Sequence, residues 1–540
     1  MTVWTFPDIW ESVCAAIPDA PAIVQGARVM RYAEFDATAD ALARRLVDAG
    51  LSHQSKVAAY SYNSPEYLLT YFAAFKAGLV PFNVNYRYGR DEVAALLDNG
   101  DAEAVVFETT FAAIIGDIRD RLPAIKLWVA IPRDGHPVPD WAVDLDALAA
   151  QDRGERPFRA PWGRQGSDMM LLFTGGTTGV PKGVMWQQED IIGRFGYGGN
   201  PLAGVPPLAQ PSEAGARAAS VAERGCSLIA CPLMHGTGLI SSLAVLGAGG
   251  TLVLLPPGSF DAAVLWDAAE RNRANRIAIV GQAFAQPMLD ALDAEPARWS
   301  LDALQSIGSS GTIWNRENKQ ALLRHLPHIA LTDSFSSSEA FGMAQSTTTR
   351  DAEVSTASFA LTPDCAVFTE DGRRVAPGSD ETGRIAIGGF IPLGYYKDPV
   401  KSAETFPTIE GRRWSMPGDW ARVAADGTIL LLGRGSQCIN TGGEKVFPEE
   451  VEEALKLFDG VADAAVTSVP DARFGERIVA LVARRPAANP AEDAMRDHVR
   501  GRLAAYKAPR HFQLVDAIPR MANGKIDYAR VKDIAMTSFA

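Results

Sequence analysis

The sequence predicts an α/β protein: a large N-terminal domain of mixed, mainly parallel sheets with helices and a small all-β subregion, followed by a small α+β domain. Three observations lead there. Short apolar runs alternate with helical patterns through the first 150 residues, the rhythm that βαβ units and parallel sheets produce. Past residue 366 the pattern changes to short strands with Asp-Gly turns, at Asp371-Gly372 and Asp426-Gly427, which read as hairpins. At Gly433-Arg434-Gly435-Ser436 a glycine-rich break precedes a stretch with helices and strands of its own. The two domains are therefore set at residues 1–433 and 434–540.

The elements follow from hydrophobic spacing. Residues 32–49 repeat apolar positions every three or four residues and read as a helix, 56–60 as a strand, 65–77 as a helix and 104–107 as a strand. Strands recur around 226–231, 276–280 and 304–307. Residues 200–225, rich in Pro and Ala and without periodicity, read as a long surface loop. Residues 236–259 are uncharged and long enough to span a bilayer. However, Ser241, Ser242, Gly247, Gly249 and Gly250 interrupt that run and Pro256-Pro257 close it. A buried helix over 239–246, a glycine turn and a strand over 251–255 fit better. In the last stretch, helices are expected over 448–457 and 492–504, with strands over 464–469 and 479–483.

Of 540 residues, 47% are hydrophobic and 21% charged, which excludes a disordered or fibrous chain. Lys plus Arg less Asp plus Glu is 52 − 64 = −12, so the chain lacks the positive field of a nucleic-acid or anionic-membrane binder. A polyanionic ligand must then be held by local cations. Cys14, Cys226, Cys231, Cys365 and Cys438 are scattered, without the spacing of a disulfide frame or zinc site. The first ten residues lack the basic and apolar regions of a secretory signal. The expectation is a cytoplasmic protein with no integral membrane segment and no nucleic-acid partner.

Chemistry concentrates in Leu171-Leu-Phe-Thr-Gly-Gly-Thr-Thr-Gly-Val-Pro-Lys-Gly183, where an apolar strand runs into four glycines, three threonines and a lysine. Glycines let backbone N–H groups approach phosphate oxygens, threonine hydroxyls add donors, and Lys182 supplies a point charge. It is not a Walker A loop, because Pro181 precedes the lysine and Gly183 follows it. Alone, such a segment is more often an ordinary turn between strands.

Its companions change that balance. In chain order they are Cys231-Pro-Leu-Met-His-Gly236, Asp333-Ser-Phe-Ser-Ser-Ser-Glu339, residues 383–399 ending in Gly-Tyr-Tyr-Lys-Asp-Pro, Pro417-Gly-Asp419, residues 433–452, and Pro519-Arg-Met-Ala-Asn-Gly-Lys525. Together with the glycine loop this set resembles the signature motifs of the adenylate-forming superfamily, which includes acyl-CoA synthetases, luciferases and non-ribosomal peptide adenylation domains. The resemblance implies ATP, Mg²⁺ and coenzyme A as cofactor and co-substrates, and a small C-terminal domain that is mobile.

By the same resemblance, Thr174, Gly175, Gly176, Thr177, Thr178, Gly179 and Lys182 would cradle phosphates, Thr174 and Lys182 being counted as catalytic. Glu339 would hold Mg²⁺, with Ser338 offering a hydroxyl to the metal or a phosphate. Phe335 would stack on adenine and Asp333 accept its exocyclic amine, with Ser334, Ser309, Ser310 and Gly311 beside the base. Asp419 and Arg434 would bind the ribose. Lys525 would bridge the carboxylate and the α-phosphate, where charge accumulates. Gly442, Gly443 and Lys445 would line a passage for pantetheine once the small domain has rotated.

The acyl pocket is expected from Trp186, His235, Gly236, Gly281, Gln282, Ala283 and Gly308, with His235 as a pocket wall near the reacting carboxylate. None of these is Arg or Lys, and Cys231 to Gly238 contains no acid, so a bulky apolar acid fits and an amino acid does not. The expected activity is an ATP-dependent acid:CoA ligase for a fatty-acid or steroid side-chain substrate. The alternatives are transfer to a carrier protein, an aryl-acid CoA ligase, or a non-catalytic nucleotide-binding protein. The last conflicts with retention of Thr174, Lys182, Glu339, Asp419, Arg434 and Lys525. A homodimer is the candidate assembly. The sequence departs from the family pattern at Arg384, where a Glu is usual, and at Ser436, where the hinge usually carries Asp or Lys.

Overall fold

The computed structural model describes residues 2–539 except 175–180, 200–203, 312–313, 315, 352–357, 438, 442–443, 472–474, 487 and 522–524; the side chains of residues 434, 436, 440, 444, 445 and 475 are also not described. By packing, the chain divides into two compact units, Met1–Thr356 with Ile387–Ser415, and Ala357–Ala386 with Met416–Ala540.

The first unit carries two sheets. One runs in the order Ala340–Thr348, Ala330–Ser337, Ser306–Ser310, Arg276–Ile279, Cys226–Ile229, Thr251–Leu254, Pro21–Gln25, Arg28–Arg31. Pairing is parallel from Ala330–Ser337 through Pro21–Gln25 and antiparallel at both flanks. The other runs Gly394–Tyr395, Lys182–Gln187, Met169–Thr174, Val80–Asn83, Lys56–Tyr60, Ala102–Glu108, Leu127–Ile131, Val143–Asp144, and is parallel from Met169–Thr174 onward. This is the mainly parallel, mixed α/β architecture that the strand and helix rhythm predicts.

Parallel strands covered by helices on both faces need apolar residues on both, and Val57-Ala-Ala-Tyr60 is buried throughout. The helix Pro65–Lys76 starts with Pro65 after Ser64, whose hydroxyl caps Tyr67 N–H, and every residue in it is buried. Its Lys76 is fully enclosed, so the ammonium needs partners: it lies 2.5 Å from Asp40, 2.6 Å from Asp36 and 3.1 Å from Glu11. Burial alone would raise the Glu11 carboxyl; Arg164 and Lys76 instead hold it down at about 2.

Two expectations need correction. Within residues 200–225, Glu213–Ser220 forms a helix rather than loop. Its buried face is Ala214, Gly215 and Ala218, and a Cβ at Gly215 would sit 2.2 Å from the carbonyl of Ser12, so small residues let the helix pack onto Phe6–Ala16. A face made of alanine and glycine leaves no apolar periodicity to read. The strand expected over 304–307 lies at Ser306–Ser310, because its serines and glycine hide it from a search for apolar runs.

In the second unit, antiparallel strands Thr428–Arg434 and Asp419–Val423 close around Gly427, as the Asp-Gly turn predicts. Trp420 and Leu432 of this hairpin bury against Phe447. A second sheet runs Glu444–Val446, Ile439–Thr441, Gly475–Arg484, Val461–Asp471, with His511–Val515 parallel to Gly475–Arg484. Alternation splits its core: Ile478, Ala480 and Val482 face Val451, Leu455, Met495 and Val499, whereas Val479 and Leu481 face Val531 and Ala535. No helix among the described residues is long and apolar enough to cross a membrane.

Candidate active site

Ligands of open parallel sheets bind beyond the carboxyl ends of the strands, and most of the expected first-unit site residues lie there. Strand Cys226–Ile229 leads to His235, the N-cap of helix Gly236–Gly247. Strand Arg276–Ile279 leads to Gly281, which caps helix Gln282–Ala294 with φ +53°, a left-handed conformation that favours glycine. The Gly281 N–H donates to Ser309 Oγ at 2.8 Å, tying two strand ends together. In register, Gly308 lies beside Ala278 and Thr332, Ser309 beside Asp333, and Ser310 beside Ser334. A Cβ at Gly311 would stand 3.7 Å from Val280 and 4.0 Å from Thr237, which puts it at the start of the His235 helix. Gln282 is half-buried and Ala283 exposed.

The phosphate hairpin comes from the other sheet. Met169–Thr174 and Lys182–Gln187 pair antiparallel with Thr174 opposite Lys182, so the two catalytic candidates face each other at the base of the glycine loop. Gly175, Gly176, Thr177, Thr178 and Gly179 lie outside the described residues. Lys182 Nζ donates to Asp398 Oδ2 at 3.0 Å and lies 5.5 Å from the Tyr395 ring centre. Asp398 also caps helix Pro399–Thr405, and the N–H of Lys401 together with Lys182 holds its carboxyl below the usual range. At 28% exposure the Lys182 ammonium can exchange this carboxylate for a phosphate.

Glu339 stands at the turn between Ala330–Ser337 and Ala340–Thr348 and is pinned at three consecutive points. Trp186 Nε1 donates to the preceding carbonyl, Ser338 O, at 2.8 Å; Ser415 Oγ donates to Glu339 O at 2.6 Å; Tyr395 OH donates to Glu339 Oε1 at 2.8 Å. The carboxylate is thus half-buried with a fixed backbone, a hard oxygen ligand suited to Mg²⁺. Trp186 is fully buried and stacks on Phe341, ring centres 4.5 Å apart, so in this structure it supports the Glu339 turn. Gly236 closes the same cluster: a Cβ there would lie 3.3 Å from Leu172, 3.6 Å from Phe341 and 3.9 Å from Ser338 Oγ.

Asp333 forms an ion pair with Lys319, whose side chain is 2% exposed. Burial raises the Asp333 carboxyl and Lys319 opposes that rise. The expected adenine acceptor is therefore already engaged by a lysine of helix Arg316–His325. Ser334, Phe335 and Ser338 follow it, half-buried along the same strand and turn.

In the second unit, Asp419 and Arg434 stand opposite each other in the antiparallel ladder, and Asp419 is buried. The Arg434 and Lys445 side chains, and Gly442 and Gly443, lie outside what is described. Lys525 is exposed, its carbonyl accepting from Met521 N–H at 2.8 Å.

Sequence reasoning missed the residues that align these groups. Asn83, buried at the carboxyl end of Val80–Asn83, donates to Phe173 O and Met234 O at 2.8 Å each and accepts from Phe173 N–H at 2.7 Å. It thereby joins the residues just before Thr174 and His235. Asn63 holds the other end of the His235 loop, donating to Cys231 O at 3.0 Å and accepting from Leu233 N–H at 2.7 Å. The available signal was a lone amide in the apolar run Leu79-Val-Pro-Phe-Asn-Val84. Tyr395 lay in a quoted motif without an assigned role.

A family model described as AMP-binding enzyme matches residues 10–396, and one described as AMP-binding enzyme C-terminal domain matches residues 450–525. A medium/long-chain-fatty-acid–CoA/3-oxocholest-4-en-26-oate–CoA ligase of Mycolicibacterium smegmatis is 36% identical, covering 98% of this chain and 96% of its own. A 3-oxocholest-4-en-26-oate–CoA ligase of Rhodococcus rhodochrous is also 36% identical, covering 97% and 95%. Among solved structures, ATP-bound MatB from Rhodopseudomonas palustris has the same fold, with a TM-score of 0.80 at 23% identity over 100% of both chains. On these matches along nearly its whole length, the chain belongs to the AMP-binding enzyme family.

Proposed function

We propose that the protein is an AMP-forming acid:CoA ligase acting on a hydrophobic carboxylic acid of fatty-acid or steroid side-chain type. The observation that carries this reading is the assembly in the first unit: Thr174 and Lys182 at the base of a glycine loop, Glu339 pinned beside them through Tyr395, and small residues at the His235 strand end. The names of the most similar relatives, fatty-acid or steroid side-chain CoA ligases at 36% identity, support the substrate class.

In the first half-reaction a carboxylate oxygen attacks the α-phosphorus of ATP, and pyrophosphate leaves. Lys182 binds phosphate oxygens after release from Asp398, and Lys525 neutralises charge between the carboxylate and the α-phosphate. Glu339 would hold Mg²⁺, which supplies charge neutralisation at the phosphates when bound. Asp419 and Arg434, opposite each other, bind the ribose, and Phe335 with its neighbours seats the adenine. In the second half-reaction the CoA thiol attacks the acyl carbonyl and AMP leaves. The residues 434–540 act as the mobile domain that exchanges the Lys525 segment for the Gly442-Gly443 passage.

We place the enzyme in the cytoplasm and, as its assembly, in a homodimer, which sedimentation velocity would test. The functional test incubates the protein with MgATP and fatty, steroid-type and aryl acids, with CoA or a carrier protein as acceptor, following AMP and thioester. Acid-dependent AMP with CoA thioester for apolar acids is expected. Exclusive use of aryl acids or of the carrier protein would move the reading to those alternatives, and no acid-dependent AMP would end it.

A further inference from the structure

The Lys525 segment is closed at its base. Met521 N–H donates to Lys525 O at 2.8 Å, Asp527 N–H to Pro519 O at 2.9 Å, and Arg520 pairs with Ile526 in an antiparallel bridge. Directly after it begins helix Tyr528–Phe539. The hydroxyl of its first residue, Tyr528, lies 2.9 and 3.1 Å from the two carboxyl oxygens of Glu452. Glu452 is 3% exposed on helix Pro448–Lys456, and its Oε1 also accepts Val466 N–H at 2.8 Å. On the outer side Arg520 pairs with Asp463 at 2.6 Å, a more exposed contact.

We infer that Glu452 and Tyr528 form a latch that positions Lys525 for the adenylation half-reaction, an assignment that rests on the reading of Lys525 given above. A lysine on a short hairpin serves a transition state only if the hairpin's foot is held, and small misplacement of a charged group is costly. The latch supplies a part-buried, twofold contact three residues from Lys525, between that segment and helix Pro448–Lys456. The charged groups facing Glu452 are Lys456 and Glu449 on its own helix, with Arg520 acting on Tyr528 from the hairpin. Lys456 is shared with Glu453 and Asp463. Burial pushes the Glu452 carboxyl up to about 8, so at neutral pH the latch is a largely uncharged hydrogen-bonded pair.

The test is the ratio of two half-reactions measured on the full chain: acid-dependent pyrophosphate release, and thioester formation from pre-made acyl-adenylate and CoA. A ratio is independent of the fraction folded. Tyr528→Phe keeps the ring and removes the hydroxyl, and should lower the ratio about tenfold or more. Glu452→Gln retains an uncharged acceptor and should keep a ratio near wild type. An unchanged ratio in Tyr528→Phe, or a fall in Glu452→Gln as large as that in Tyr528→Phe, would overturn the latch. Lys525→Ala, run alongside, identifies the other failure: intact adenylation there would overturn the reading of Lys525 itself, and the latch with it.

Discussion

Replacing Asn83 with alanine probes how one buried side chain aligns the two ends of the candidate site. Asn83 is 4% exposed and holds Phe173 N–H, Phe173 O and Met234 O. Alanine leaves two carbonyls and one N–H without this partner, at a cost of about 1–3 kcal/mol for each group that finds no other. Taking the lower end for all three groups, a loss of about 3 kcal/mol is expected. For a unit this large that lowers Tm on the order of 5 °C. Catalysis should suffer more than stability, because Thr174 and His235 directly follow the freed residues, and a misplacement near 1 Å costs roughly 10²-fold. The assay is a thermal melt with steady-state AMP formation, kcat falling more than KM for ATP rises. Asn83→Asp should be worse than alanine, since a carboxylate would face two carbonyl oxygens. Wild-type melting and wild-type adenylation in Asn83→Ala would refute this account of the site.

Three further outcomes follow from the same contacts. Tyr395→Phe removes the donor to Glu339 Oε1 and should raise the Mg²⁺ concentration needed for half-maximal adenylation several-fold, with little change in Tm; an unchanged Mg²⁺ titration would show that Tyr395 does not orient Glu339. Lys76→Met leaves Glu11, Asp36 and Asp40 without their shared cation and should cost about 3–5 kcal/mol in urea unfolding, against none if the cluster is solvated. Glu11 and Glu452 should pull the pH dependence of stability in opposite directions. The lowered Glu11 contributes stability that is present above its unfolded value of 4.5 and lost as pH falls toward about 2. The raised Glu452 contributes stability present below 4.5 and lost as pH rises toward about 8, so Glu452→Gln should flatten the alkaline side of the profile and leave the acid side alone.

What the sequence made legible follows a physical rule. The strand Lys56–Tyr60 and the helix Pro65–Lys76 can be read within a residue because apolar runs and a capping Ser-Pro mark them. The helix Glu213–Ser220 cannot, since its packing depends on the absence of side chains. The same holds for the site. Residues that meet phosphate, ribose or metal announce themselves by glycine, charge and motif spacing. Asn83, Asn63, Ser415 and Lys319 act through contacts between 76 and 170 residues apart, or through a partner on another element, and no local pattern reports them. Trp186 illustrates the converse: it is expected as a pocket wall, and its burial and its bond to Ser338 give it a supporting role.

In the proposed reaction the carboxylate is activated by bonding one of its oxygens to the α-phosphorus of ATP. Carboxyl-¹⁸O-labelled apolar acid, MgATP and CoA are incubated with the protein, and the nucleotide and phosphate products are analysed by mass spectrometry. Attack at the α-phosphorus followed by thiol attack at the carbonyl leaves one labelled oxygen on AMP and none on pyrophosphate, which is the predicted result. Label in inorganic phosphate with ADP as product, or AMP formed without label, would contradict it.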